Sequence, residues 1–373
     1  MSNETRPLDV LLFAEDPGGA NVLIPLPDVL RDMNIRAELV ADEQVDAYLQ
    51  ARNVPFSRYT GDADSTLRAN APRLLVTGTS ERPESSSLHL IQAAREQEIL
   101  SLAAIDMITN ADRRFRGHTD KPLAHMADHI AVPDTPTAEA YKSLGVPEET
   151  ITMCGHPHHD LVRARRAVLA AADQEKLRAE HLPDAPRDRP VLVFLAEGVD
   201  RLNAAASEKS PAYTLHGEGS SLDRTTIVLE EILNATEDLD PRAYILLRLH
   251  PGNSLEDYSQ LHPRIDAISH GGDPLPIVWC ADLVVGMTTM LLVEAFLLGR
   301  PTLSVIPLAG EAKWLPTTAS GLTPFATTRA QLIANLTALC STDAVNIVDN
   351  DTVLPRGATA NYVRLIENLL NVQ

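Results

Sequence analysis

Two apolar runs that end in small and polar residues set the tightest limit on how this chain folds. Leu246-Leu-Arg-Leu-His250-Pro251-Gly252 is the first, and Ala281-Asp-Leu-Val-Val-Gly286-Met-Thr288-Thr289 is the second. A helical pattern, Met290-Leu-Leu-Val-Glu294-Ala-Phe-Leu-Leu298, follows and stops at Gly299-Arg-Pro301. Short continuous apolar strands that run into helices belong to a parallel sheet covered on both faces. The exits of such strands and the starts of such helices point unsatisfied donors outward. His250, Pro251, Gly286, Thr288 and Thr289 therefore form a predicted cup for a phosphorylated group.

The same alternation runs through most of the 373 residues. Predicted strands are Leu8–Ala14, Arg36–Val40, Arg73–Gly78, Leu100–Ile105, His129–Val132 and Ile151–Cys154 in the first half. In the second half they are Pro190–Ala196, Tyr244–Leu249, Ile265–Ser269, Asp282–Gly286 and Thr302–Ile306. Predicted helices include Val22–Met33, Asp42–Arg52, Ser87–Glu98, Thr135–Gly145, Leu161–Glu180, Leu222–Thr236, Arg329–Cys340 and Ala360–Leu370. Glu15 to Asn21 reads as a turn. His181 to Pro190, with three prolines among charges, reads as a linker, and Arg201 to Ser221 as a loop. The expected organisation is an N-terminal doubly wound domain over 1–180, a second over 181–355, and a terminal helix within 356–373 that crosses back to the first.

Composition narrows the function classes. Hydrophobic content of 44% and charged content of 22% are ordinary for a chain with a large core. Three scattered cysteines at no metal-ligand spacing argue against a disulfide framework and against zinc. A net charge of -19 disfavours nucleic acid, whose backbone demands a basic surface. No apolar run reaches bilayer length, and the N-terminus lacks a signal-peptide core, so a cytoplasmic location is expected.

Several motifs resemble those of the GT-B superfamily. Ile151-Thr-Met-Cys-Gly-His-Pro-His-His-Asp160 is similar to the end of the first domain in many GT-B proteins. Leu249-His-Pro-Gly252 resembles the second-domain motif of CDP-glycerol glycerophosphotransferases and capsule-polysaccharide transferases, which bacterial sialyltransferases share. Thr288-Thr289 stands where those families carry paired hydroxyls. Glu294 with Gly299-Arg-Pro301 matches a pattern shared with UDP-N-acetylglucosamine 2-epimerases. Departures are Gly-Met rather than Asp-Tyr before the hydroxyl pair, and no Ser-Gly-Gly before the helix. The resemblance implies an α/β fold of two Rossmann-like domains facing across a cleft. It implies a metal-independent glycosyltransferase, or polyol-phosphate transferase, in surface polysaccharide synthesis. The alternatives are a 2-epimerase and a noncatalytic nucleotide-sugar-binding protein. No cofactor is expected, since the nucleotide-activated donor is a substrate. A glycan or small molecule is the expected acceptor; a homodimer and peripheral membrane association stay open.

Candidate residues follow from placement at strand ends. His250, Thr288 and Thr289 are expected at a donor phosphate, and Glu294 at the ribose. Thr288 or Thr289 could also cap the helix, which is compatible with a phosphate site because both use the same helix end. Asp16, Asp106 and Glu197 are the candidate acid–base residues, each just past a strand. Glu15, Gly18, Gly19, Ser80 and His156 are expected around an acceptor. Glu15 is a second candidate for the base, and the glycines allow close backbone approach. The spacing is not that of a dinucleotide fingerprint. His156, His158 and His159 are read on a turn, where neighbouring imidazoles diverge, so no metal is expected. Arg113, Arg114 and Arg116 read either as an anion site or as a solvated face.

Overall fold

The computed structural model describes residues 7–198, 209–219, 221–237, 239, 241–340 and 351–371. The chain divides into two compact units, Met1–Leu161 with Asn350–Gln373, and Val162–Asp349.

Unit 1 is built on a seven-stranded sheet. Its strands are β1 (Val10–Ala14), β2 (Ala37–Ala41), β3 (Ser57–Arg58), β4 (Leu74–Thr77), β5 (Leu100–Ala104), β6 (His129–Val132) and β7 (Ile151–Met153). Their order is β3-β2-β1-β4-β5-β6-β7, and every pairing is parallel. All five residues of β1 are buried, because helices cover both faces of a parallel sheet. Unit 2 repeats the plan. Its strands are β8 (Val191–Leu195), β9 (Tyr244–Arg248), β10 (Ala267–Ser269), β11 (Leu283–Gly286), β12 (Thr302–Val305) and β13 (Phe325–Ala326). They pair in the order β10-β9-β8-β11-β12-β13, again parallel throughout. In both sheets the chain reverses direction beside the first strand. The crevices at the carboxyl ends of β1/β4 and of β8/β11 are thus the topological switch points, where doubly wound sheets bind ligands.

Every predicted strand is present, and two more, β3 and β13, close the edges with two residues each. Helix starts differ. The predicted turn at Glu15–Asn21 is helical from Pro17: Asp16 accepts the Gly19 N–H at 2.8 Å, and proline at the first helical position needs no N–H partner. The predicted helix 22–33 is two helices, Pro17–Leu23 and Leu26–Asp32, separated at Pro25. Of the histidines expected on a turn, His158 and His159 lie in the first turn of a helix, Pro157–Ala171, and His156 just before it.

The division between units falls after Leu161, against an expected boundary at 180. Residues 162–180 group with unit 2 because their partners are there. Gln174 accepts the Trp279 indole N–H at 2.7 Å, and Arg166 donates to the Leu297 carbonyl at 3.4 Å. The terminal helix, Ala358–Asn371, belongs to unit 1. Its Tyr362, Val363, Ile366, Leu369 and Leu370 lie in the core with Val10, Leu12 and Leu74. Asp160 accepts backbone N–H groups of Gly357 at 3.0 Å and Thr359 at 2.9 Å, fixing the start of that helix. Of the predicted 201–221 loop, residues 209–219 and 221 are described and carry neither helix nor strand; the rest lies outside the described residues.

Candidate active site

In unit 1 the switch point collects four of the candidate residues. Asp16 leaves β1 and caps the helix Pro17–Leu23. Asp106 leaves β5 and forms an ion pair of 2.7 Å with Arg114. Gly18 lies against Asp106: a Cβ there would be 2.4 Å from an Asp106 carboxylate oxygen. Gly19 lies against Gly78 at the exit of β4, where a Cβ on Gly78 would come 2.8 Å from the Gly19 Cα. The Asp-Pro-Gly-Gly sequence therefore lets the first turn of the helix press onto two strand exits. Arg114 is buried and also donates to the Thr79 hydroxyl at 2.9 Å and the Thr109 carbonyl at 3.1 Å.

This packing sets the proton affinity of Asp16. Burial, and next the charge of Asp106, push its carboxyl up to about 7. The Gly19 N–H and Arg114 pull the other way, while Glu15 adds to the rise. A carboxyl in this range exchanges its proton at neutral pH. His156 is buried, and its ring stacks on His159 at 4.7 Å between centroids. Burial lowers its pKa to about 4, with His158 adding and Asp106 opposing, so the ring is neutral at pH 7. Its Nδ1 is buried with no hydrogen-bond partner among the described residues.

Glu15 does not have the surroundings of a base. It is 1% exposed and accepts from Arg82 at 2.7 Å, the Ser85 hydroxyl at 2.6 Å and the Ser87 N–H at 2.8 Å. That last donor lies in the first turn of the helix Ser86–Glu96, so Glu15 is a helix-capping acid held by three donors. The Ser80 hydroxyl, past the exit of β4, accepts the Arg82 N–H at 3.3 Å.

In unit 2 the switch point joins Glu197, just past β8, to Thr288, just past β11. One carboxylate oxygen of Glu197 accepts both the Thr288 N–H and the Thr288 hydroxyl, the latter at 2.7 Å. The other oxygen is bound by Arg224, which also donates to Glu311 at 2.6 Å. Burial raises the Glu311 pKa, and Arg224 opposes the rise. Glu197 is thus anchored on both oxygens rather than aimed outward as a base. Thr289 is the N-cap of the helix Met290–Leu297, its hydroxyl accepting the Leu291 N–H at 3.3 Å. The cap is compatible with a phosphate at the same helix end. Glu294 is buried on the same helix.

His250 stands on the rim past β9. Its Nδ1 accepts the Gly252 N–H at 3.1 Å, which leaves the proton of the neutral ring on Nε2. Burial lowers its pKa, while Glu197 pulls it up. Gly198 backs the ring so closely that a Cβ would sit 2.7 Å from Nδ1. Pro251 is exposed, and Gly286 is buried against the Thr289 methyl group. The structure thus brings His250, Glu197, Thr288 and Thr289 to one edge of the unit 2 sheet. Arg224 and Glu311 are the members sequence reasoning missed. Arg224 begins the helix Arg224–Thr236 and Glu311 lies in the short 3-10 helix Ala309–Trp314, with no motif to mark them. Among the described residues no three His, Cys, Asp or Glu side chains are grouped to hold a metal ion. No described helix is long and apolar enough to cross a membrane.

Two doubly wound parallel units in this order define the GT-B fold, and comparison with solved structures gives the same class. The UDP-GlcNAc 2-epimerase of Methanocaldococcus jannaschii superposes with a TM-score of 0.67 at 14% identity, covering 96% of this chain and 99% of that one. The UDP-GlcNAc 2-epimerase of Neisseria meningitidis, bound to UDP-GlcNAc, matches at 0.67 and 15%, covering 97% and 99%. The wall teichoic acid polymerase TagF matches at 0.54 and 14%, covering 98% of this chain and 90% of that one. No protein-family model and no curated protein sequence matches the chain.

Proposed function

We propose that this protein is an enzyme acting on a nucleotide-activated sugar, with nucleotide recognition in unit 2 and proton transfer by Asp16 in unit 1. The observation that carries the reading is the Asp16 carboxyl at the β1/β4 switch point, raised to about 7 by burial and by Asp106. A group poised at neutral pH in a ligand-binding position has the profile of a general acid–base. UDP-GlcNAc in the Neisseria enzyme and UDP in an Anabaena relative of the same fold support a nucleotide sugar as the ligand class.

Within that class, the fold comparisons favour 2-epimerisation of a UDP-amino sugar. Inversion at C2 requires a proton to leave and to return, and Asp16 suits one of these transfers. Transfer of a sugar or polyol phosphate to a glycan is the second reading, supported by His250-Pro251-Gly252 and the likeness to TagF. Asp16 would then deprotonate the acceptor hydroxyl.

Incubation with UDP-GlcNAc and no acceptor separates the two. Inversion of the sugar followed by NMR supports the epimerase. Turnover that appears only when an acceptor is added supports the transferase. If Asp16→Asn and Asp106→Asn leave all turnover intact, the acid–base assignment is wrong. If no nucleotide shifts the melting temperature of the wild-type protein, the nucleotide-sugar reading fails.

A further inference from the structure

We propose that His156, at the exit of β7, is a ligand-binding residue of unit 1: its imidazole donates the Nε2–H to a hydroxyl or carbonyl oxygen of the sugar on which Asp16 acts. The inference rests on the nucleotide-sugar reading above and deepens it by naming the donor. His156 is 5% exposed, and its Nδ1 has no hydrogen-bond partner among the described residues. A buried polar group left in that state calls for an explanation, and contact with a ligand is one. An enclosed N–H without an acceptor is rarer than an unfilled lone pair, so the proton of the neutral ring belongs on Nε2. The cations of the same crevice are committed elsewhere. Arg82 holds Glu15 and Gln44, and Arg114 holds Asp106, Thr79 and Thr109. Ionised Glu15, Asp16 and Asp106 only accept. A ligand rich in hydroxyl and carbonyl oxygens needs a donor there, and His156 supplies one.

Placement points the same way. Only β6 separates β5 from β7, so Asp106 and His156 leave strand exits two spacings apart, about 10 Å. The charge of Asp106 acts on Asp16 and on His156 alike. The ring is also fixed from both sides. Before it, the Cys154 carbonyl accepts from Asn361 at 3.1 Å, and a Cβ on Gly155 would come 2.9 Å from the Ala358 Cβ. After it, the ring stacks on His159 with 20° between the planes, and Asp160 accepts from Gly357 and Thr359. The terminal helix therefore grips the backbone on either side of His156. A donor set in place beforehand needs no reorganisation when charge develops on a ligand oxygen. Burial keeps the ring neutral at pH 7, so it donates without titrating.

The test uses the full-length protein with UDP-GlcNAc as the probe. NMR spectra of the histidine ring nitrogens, assigned through His156→Gln, report tautomer and ligand contact in the wild type. The His156 ring is expected to carry its proton on Nε2 at pH 7, and its Nε2 resonance to shift when UDP-GlcNAc is added. Turnover is expected to fall about a hundredfold in His156→Ala and by less than about tenfold in His156→Gln, whose amide N–H replaces that of the ring. The bend in the activity–pH profile belongs to Asp16 and is expected to hold its position in both. A purely structural histidine would instead lower the melting temperature of both variants and leave turnover per folded molecule unchanged. Should His156→Ala lose its fold by circular dichroism, the wild-type spectra and His156→Gln decide. Ring resonances that ignore UDP-GlcNAc, or a bend that moves in His156→Gln, overturn the inference; if Asp16→Asn still abolishes turnover, the nucleotide-sugar reading stands. UDP-GlcNAc that the wild type neither binds nor turns over overturns both.

Discussion

Asp16 is pulled in opposite directions by its two roles. As a helix cap it accepts from Gly19, which favours the ionised form; burial beside Asp106 favours the neutral one, and the balance lies at about 7. In the unfolded chain the carboxyl ionises near its ordinary value of 3.8. Between those two values the unfolded state binds fewer protons than the folded state, so Asp16 withdraws stability as pH rises through that window. Asp16→Asn is therefore expected to raise the melting temperature at pH 8 and to change it little at pH 4, as scanning calorimetry at both values will show. The same variant is expected to lower turnover by about a hundredfold or more, the usual contribution of a positioned acid–base. Arg114 lowers the Asp16 pKa, so Arg114→Gln is expected to move the bend in the activity–pH profile above that of wild type.

Helix starts and strand exits place the candidate residues of each unit, and small residues make that placement sterically allowed. A Cβ on Gly198 would meet the His250 ring, which is a side chain on an exposed rim and free to yield. Gly198→Ala is therefore expected to turn the imidazole and weaken UDP binding by about tenfold, with little change in melting temperature. Gly78 is the opposite case. Its Cβ would meet Gly19 backbone, which cannot move without shifting the helix, so Gly78→Ala is expected to destabilise unit 1 by about 1–3 kcal/mol in denaturant titration. The strands were legible at this scale because parallel strands buried on both faces read as unbroken apolar runs. The two-residue edge strands Ser57–Arg58 and Phe325–Ala326 were not, because so short a segment has no period. Asp-Pro-Gly-Gly reads locally as a turn, and its helical form depends on the Asp16 cap and on packing against Gly78 and Asp106.

At the scale of the molecule, the terminal helix completes unit 1 rather than extending unit 2. Removing residues 358–373 would uncover the core around Tyr362, Ile366 and Leu370, all 6% exposed or less. The truncated protein is expected to lose the melting transition of unit 1 and to precipitate, checked by circular dichroism and sedimentation. The division after Leu161 was not visible in sequence, since Pro157–Ala171 is one unbroken helix and composition does not change along it. What groups residues 162–180 with unit 2 is a set of contacts with Trp279 and Leu297 far along the chain.

Apolar periodicity and the punctuation of glycine and proline were enough to determine two doubly wound units. They also put His250, Thr288 and Asp16 at strand exits, because those signals are local. Which acids are chemically available was decided only by tertiary structure. Glu15, Asp16, Asp106 and Glu197 look alike in sequence as acids following strands. Folding gives Glu15 three donors, locks Glu197 between Thr288 and Arg224, pairs Asp106 with Arg114, and leaves Asp16 to titrate near neutrality. The reason is physical: a carboxyl's proton affinity depends on the charges, donors and burial around it, and those neighbours come from distant parts of the chain.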